Sequence, residues 1–148
     1  MTWPEELEFW VDGTPIPQGS KGARTVRGKA HLFDTNAKYL HPWRKHVTET
    51  ARAQDVQFGS TPVSVTLDFY FEPPLKPKFP AHAVKPDADK LTRAVLDSLT
   101  NAEVFKDDCL ATRLIVEKHY GDYPGVNIRV KRLDLGKIPE PGVGDMAD

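Results

Sequence analysis

The stretch VSVTLDFYF, residues 63–71, decides how this chain folds. Its odd-numbered residues are Val, Leu or Phe, and its even-numbered residues are Ser, Thr, Asp or Tyr. Because successive side chains of a strand point to opposite faces, this alternation predicts a strand with one buried face. Four prolines between residues 73 and 80 exclude further sheet and predict a stiff connection. Lys76, Lys78 and Lys85 give this connection a positive charge.

Patterns before this strand predict two further elements. Residues 7–11 alternate in the same way and predict a first strand, which ends at an Asp-Gly turn signal. Residues 36–53 carry apolar side chains at steps of three and four, which predicts a helix with one apolar face. Pro42 lies within the first turns of this pattern. Because proline is tolerated at the start of a helix, we expect the helix to begin near His41.

Patterns after the strand predict one helix and two more strands. Apolar residues at four-residue steps predict a helix from about Asp87 to Leu99. Residues 111–119 and 126–133 read as strands joined by the turn-like sequence GDYPG. We therefore predict a single α/β (α+β) domain, in which a mixed, mostly antiparallel sheet of four to five strands packs with two main helices.

Composition indicates the class of protein. The chain has 148 residues, of which 39% are hydrophobic and 28% charged, as expected for one soluble globular domain. We expect the domain to span residues 1–133 and to be followed by a poorly ordered, Gly- and Pro-rich tail, residues 134–148. No apolar run approaches the ~20 residues that cross a bilayer, and the first residues lack a secretory pattern, so no membrane partner is expected. The lone cysteine, Cys109, suits a reducing compartment and predicts a cytoplasmic protein.

Positive charge is concentrated in one segment. The whole chain has 20 basic and 21 acidic residues, yet residues 18–53 contain eight bases and two acids. Residues 14–29 also contain five Gly or Pro residues, which predicts a mobile, extended and positive loop. Such a loop can lie along phosphates, or it can be an ordinary solvated loop. The candidate DNA-binding residues are Lys21, Arg24, Arg27, Lys29, Lys76, Lys78 and Lys85.

Two pairs of aspartates flank the second predicted helix. Asp87 and Asp89 fall where the helix begins, and Asp107 and Asp108 precede the strand that follows it. Carboxylates that are held together repel one another, and a fold that collects them normally holds a hard cation. If the helix packs beside that strand, the four carboxylates lie at one edge of the sheet and favour Mg²⁺ or Mn²⁺.

The same residues also have a purely structural interpretation. An Asp at the start of a helix is an ordinary cap, worth about 1 kcal/mol. Asp89, Arg93 and Asp97 follow one another at four-residue steps, which either builds a surface ladder of ion pairs or places a permanent cation beside a metal site. Zinc is disfavoured because the five histidines lack metal-ligand spacing.

The segment KPDADKLTRAVLDSLT, residues 85–100, followed by VFKDD, residues 104–108, resembles the signature of the RusA family of Holliday junction resolvases, which phages and prophages often encode. Weaker similarity extends the resemblance to residues 7–133. The resemblance implies a homodimeric, magnesium-dependent endodeoxyribonuclease that hydrolyses phosphodiester bonds of branched DNA, above all of the four-way junction.

The family's site residues can be carried over by position. Three aspartates that bind Mg²⁺ correspond to Asp87, Asp89 and Asp108, and a basic residue that assists cleavage corresponds to Arg93. Because arginine stays protonated, Arg93 would act by charge and hydrogen bonding, which leaves Lys90 open as the assisting base. Asp107 is a candidate for orienting the attacking water. The candidate catalytic residues are therefore Asp87, Asp89, Asp108, Arg93, Lys90 and Asp107.

The residues leave two alternatives to a nuclease. A module of the same shape could bind branched nucleic acid without cutting it, with its acids acting as caps or pairing with Lys90 and Arg93. A small interaction domain without any nucleic-acid role would fail to bind junction DNA even at low salt.

Overall fold

The computed structural model describes residues 4–19, 21–26, 29–34 and 37–140. The strands are β1 (Glu6–Asp12), β2 (Lys21–Val26), β3 (Lys29–Asp34), β4 (Val63–Phe71), β5 (Ala111–Tyr120) and β6 (Gly125–Arg132), and the helices are α1 (Ala37–Ala53) and α2 (Ala88–Asn101). A single 3-10 turn, Asp108–Leu110, precedes β5.

Four of the strands form one mixed sheet in the order β1, β6, β4, β5. Strand β6 is antiparallel to both of its neighbours, whereas β4 and β5 are parallel. Parallel neighbours cannot be joined by a tight turn, so the chain crosses from β4 to β5 through α2. The predicted mixed, mostly antiparallel sheet with two main helices is confirmed.

The core lies on one face of this sheet. Along β1, Leu7, Phe9 and Val11 are buried, and the residues between them are exposed. The odd-numbered residues of β4 are buried, as the alternation predicted; of the residues between them, Ser64 is buried as well and the others are half-buried. The two helices contribute the rest of a single buried cluster: Leu40, Trp43, Val47 and Ala51 from α1, and Leu91, Ala94, Val95 and Leu99 from α2.

Helix α1 begins earlier than the sequence predicted. Its first residue is Ala37, and Pro42 lies inside the helix, so the expected start near His41 is wrong. The missing N–H of Pro42 costs one backbone hydrogen bond, to the carbonyl of Lys38. Leu40 is almost completely buried, and packing of its side chain holds the first turn against the core despite that loss.

The basic segment is more regular than predicted. Strands β2 and β3 pair as an antiparallel two-stranded sheet, with Lys21 opposite Asp34 and Val26 opposite Lys29. The prediction of an extended loop over residues 14–29 is therefore wrong for Lys21–Val26, which form a strand. The Lys, Gly and Ala residues of β2 have low strand propensity, and only pairing with the next segment makes the strand. The candidate DNA-binding residue Arg27 lies outside the described residues.

The turn at residues 121–125 joins β5 to β6, as predicted, but these strands are not neighbours, because β4 lies between them. Residues 134–140 are exposed and belong to no helix or strand, and residues 141–148 of the predicted tail lie outside the described residues. In the part of the chain that the structure describes, no helix combines the length and apolar content that crossing a membrane requires.

The central position of β4 gives a prediction of stability. Leu67→Ala should lower the free energy of unfolding by about 2–5 kcal/mol, because the Leu67 side chain is fully buried and its removal leaves a cavity. Leu75→Ala removes the same atoms from a fully exposed side chain and should change the free energy by less than about 0.5 kcal/mol. Urea unfolding measures both values. Equal effects of the two substitutions would contradict a core centred on β4.

Candidate active site

Asp87 occupies the N-cap position of α2, as predicted, but its side chain does not cap the helix. Instead, Lys85 Nζ donates to the carboxylate at 3.1 Å, and this hydrogen bond lowers the pKa of Asp87. Asp87, Lys85 and Lys90 line a cavity of about 720 Å³ beside the start of α2. The carboxylate of Asp87 therefore already has a cationic partner.

A second cavity, of about 460 Å³, lies between α2 and β5. Asp89 and Arg93 line it from α2, and Asp108 lines it from the turn that precedes β5. Leu114 and Val116 of β5 supply part of its apolar wall. Two of the three candidate metal ligands and the candidate assisting cation thus share one cavity, which is called the acidic cavity below.

Asp107 and Asp108 have opposite pKa shifts. The backbone N–H of Cys109 donates to Asp107 at 3.1 Å, and this bond, together with a hydrogen bond to Asp108, lowers the pKa of Asp107. Burial raises the pKa of Asp108, and the charges of Asp107 and Asp97 raise it further, against the opposing charge of Arg93. A carboxyl group in this position gains from any cation that approaches it.

Helix α1 adds a cation that the sequence did not single out. Arg44 lines a small cavity of about 310 Å³ together with Asp97, Asp107 and Asp108. Its Nη2 atom lies 3.8 Å from Asp97 Oδ2. Only the packing of α1 beside α2 brings this arginine to the acidic residues, so no local sequence pattern could have indicated it.

Lys118 is a second residue that sequence analysis did not assign to the site. From β5, its Nζ donates to the backbone carbonyls of Val84 and Pro86, each at 2.8 Å. Burial lowers the pKa of Lys118, although the nearby charge of Asp87 opposes this shift. Lys118 thereby ties the connection in front of α2 to the sheet and holds the residues that precede Asp87.

A different group of side chains has the spacing of metal ligands. Among the described residues, one set of three acidic or histidine side chains has all its ligand atoms within 4.8 Å of one another: Asp68, Glu117 and His119. His119 Nε2 lies 2.8 Å from Asp68 Oδ1 and 3.4 Å from Glu117 Oε2. Because Asp68 lies between the buried Leu67 and Phe69, this group occupies the sheet face opposite α2.

Sequence spacing could not reveal that group, because its members come from two strands that pair only in the fold. The three aspartates Asp87, Asp89 and Asp108 do not converge to the same degree in the described structure. Cys109 is exposed.

The candidate DNA-binding residues lie on two elements. Lys21, Arg24 and Lys29 belong to the β2–β3 sheet. Lys76 and Lys78 are exposed on the proline-rich connection after β4, where Lys85 pairs with Asp87.

Comparison with known proteins identifies the family. The sequence profile of endodeoxyribonuclease RusA matches residues 12–131. The chain is 29% identical over 140 residues to "Uncharacterized protein YqaN" of Bacillus subtilis (strain 168), a match that covers 86% of this chain and 96% of that protein. It is 20% identical over 129 residues to "Crossover junction endodeoxyribonuclease rusA" of Lactococcus phage r1t, covering 86% of this chain and 98% of that protein. The profile match spans both aspartate pairs and more than half of the chain, and it confirms the resemblance: this chain belongs to the RusA endodeoxyribonuclease family.

Proposed function

We propose that this protein is a magnesium-dependent, structure-selective endodeoxyribonuclease that resolves Holliday junctions or related branched DNA by paired phosphodiester hydrolysis. The observation that carries the proposal is the acidic cavity, where Asp89, Arg93 and Asp108 meet. Membership of the RusA family supports DNA as the substrate. The similarity to a phage protein named as a crossover junction endodeoxyribonuclease supports branched DNA.

The acidic cavity suits a hard divalent cation. Mg²⁺ in nucleic-acid enzymes binds through one or two carboxylates and completes its shell with water and substrate phosphate. Asp89 and Asp108 supply two such carboxylates. Burial, together with the neighbouring Asp107 and Asp97, gives Asp108 a raised pKa that a cation would offset. Asp87 is the third ligand of the proposed set, and its use requires its release from Lys85. Mn²⁺ fits the same oxygen ligands.

The bound metal would polarise the scissile phosphate and lower the pKa of a bound water. Arg93 stabilises the charge that builds on the phosphoryl oxygens, since a guanidinium stays protonated and donates in a fixed fork. Lys90, in the first turn of α2, is the alternative assisting base. Asp107, which is hydrogen-bonded to Asp108, is the candidate for orienting the attacking water.

Basic residues outside the cavity would bind the DNA backbone. Lys21, Arg24 and Lys29 of the β2–β3 sheet would contact phosphates with little reading of sequence, as would Arg27, Lys76, Lys78 and Lys85. The proposed partner protein is a second copy of this chain. A four-way junction is two-fold symmetric, so a C2 dimer would place one cavity against each of two strands. A cytoplasmic location fits this substrate.

Replacement of one carboxylate in the acidic cavity tests the reaction centre. Asp89→Asn should reduce cleavage of a synthetic four-way junction in Mg²⁺ by about 100-fold or more, because it removes a metal ligand, while junction binding is largely retained. Asp68→Asn is the matched control, because it alters the other carboxylate group, on the opposite sheet face. If Asp68→Asn abolished cleavage and Asp89→Asn did not, the reaction would belong to the other group.

Metal binding separates a nuclease from a non-cleaving junction-binding module of the same fold. Isothermal calorimetry on the wild-type protein should show Mg²⁺ or Mn²⁺ binding that Asp108→Asn weakens, because Asp108 supplies a ligand oxygen. A protein that binds junction DNA but neither metal would be the non-cleaving module.

The contacts of Lys118 predict a positioning role. Lys118→Met should lower kcat about 10- to 100-fold with little change in KM, because the connection before Asp87 loses its two hydrogen bonds to β5. Lys118→Arg keeps a cationic donor and should restore part of the rate. Thermal unfolding of each variant measures the purely structural effect. A loss of rate that only followed the loss of stability, without rescue by Arg, would contradict the positioning role.

A further inference from the structure

The cavity that Asp87 lines is separate from the acidic cavity. Apart from Asp87, Lys85 and Lys90, its lining residues have no role in the mechanism above. It is an open cleft with a volume of about 720 Å³ between residues 14–19, the end of β4 and the connection before α2. That volume lies within the range of sites for small organic groups. Because Lys90 lines this cavity and Asp89 lines the acidic cavity, the two cavities flank the same first turn of α2.

Two polar atoms in the lining residues have no hydrogen-bond partner in the described structure. They are Gln18 Oε1 and His82 Nδ1, and both atoms are buried. The His82 side chain is 7% exposed, and its ring stacks on Phe71 with the centroids 4.0 Å apart. Buried polar atoms in folded proteins are nearly always paired. Both unpaired atoms belong to residues that line this one cavity, so a ligand in the cavity that reached them would complete their hydrogen bonding.

Both residues are held in place by their surroundings. The backbone N–H of Gln18 donates to the carbonyl of Lys90 at 2.9 Å, which fixes residues 14–19 against α2. The edge of the Tyr120 ring contacts His82 from β5. Burial of His82, with the nearby charge of Lys118, lowers the pKa of the imidazole. The neutral ring offers one nitrogen donor and one nitrogen acceptor.

The charged side chains of the lining do not favour an anion over an uncharged group. Lys85 and Lys90 are balanced by the two acids Glu72 and Asp87. The remaining walls are largely apolar and include Ile16, Phe71 and several prolines. An uncharged, flat ring with hydrogen-bonding groups on one edge fits these walls, and in a DNA substrate that ring is a nucleobase.

We propose that this cavity binds one unpaired nucleobase of the DNA substrate, next to the phosphate that the acidic cavity holds. Gln18 Oε1 accepts a hydrogen bond from an amino or imino group of the base, and His82 Nδ1 bonds to the adjacent position on the same edge. A base leaves the stack at least cost where pairing is already interrupted. This proposal rests on the proposed function and supplies a physical reason for selecting branched DNA.

The experiment combines a protein variant with removal of one base. Junctions are prepared with an abasic nucleotide at each position around the branch point, and their affinities are measured by fluorescence anisotropy in EDTA, where no cleavage occurs. At one position the abasic nucleotide should weaken wild-type binding about 10-fold. Gln18→Ala should weaken binding of the intact junction by a similar factor. The abasic nucleotide should then weaken the affinity of this variant no further.

Two further variants make the result interpretable. Gln54→Ala alters the glutamine that directly follows α1, where its amide donates to the Thr50 carbonyl, and this variant should behave as wild type. His82→Phe keeps a ring on Phe71 and removes Nδ1, so it should reproduce the insensitivity of Gln18→Ala.

If no abasic position weakens wild-type binding, or if the effect persists in Gln18→Ala and His82→Phe, the base-binding cavity is refuted. Because this readout needs no metal, it is independent of cleavage. A wild-type protein that fails to cut intact junctions in Mg²⁺ refutes the proposed function instead.

Discussion

The parallel hydrogen bonding of β4 with β5 is the constraint on which the candidate site depends. Two parallel neighbours require a crossover, and here the crossover contains α2. The helix therefore packs on the sheet beside β5, with Asp89 and Arg93 on the side that meets this strand. The same connection returns to the start of β5, where Asp108 lies. If an antiparallel hairpin replaced this crossover, no helix would lie beside β5, and Asp89 would not share a cavity with Asp108.

Carboxylates outnumber cationic side chains around the acidic cavity, which suits an enzyme that binds a metal cation. Asp97, Asp107 and Asp108 line one small cavity together with Arg44, and the charge of Arg93 also acts on Asp108. Burial and the neighbouring carboxylates raise the pKa of Asp108, and the opposing charge of Arg93 does not cancel this shift. Asp87 differs, because Lys85 already neutralises it.

The first turn of α2 separates two chemically different cavities. On one side, carboxylates and a guanidinium suit a metal ion and a phosphate, and on the other side, apolar walls with two unpaired polar atoms suit an uncharged ring. Lys118 links the two, since it fixes the backbone of Val84 and Pro86 directly before this turn. A nucleotide has both a phosphate and a base, so one substrate nucleotide could occupy both cavities at once.

Local patterns in the sequence determined the elements with strong periodicity. The alternation in residues 63–71 predicted β4 with its observed bounds, and apolar residues at helical steps predicted α2 to within two residues at its end. The aspartate motifs predicted the family. The sequence missed β2 and β3, where Gly, Ala and basic residues obscure the local signal of the strand-forming Thr25, Val26 and Phe33. It placed the start of α1 too late because burial of Leu40 outweighs the cost of Pro42. Only the tertiary structure decided that Asp89 shares a cavity with Asp108 while Asp87 pairs with Lys85, and that Arg44, Lys118 and His82 lie beside these acids. The physical reason is that such contacts join residues far apart in the chain, and they form only once the sheet order and the crossover have brought their elements together.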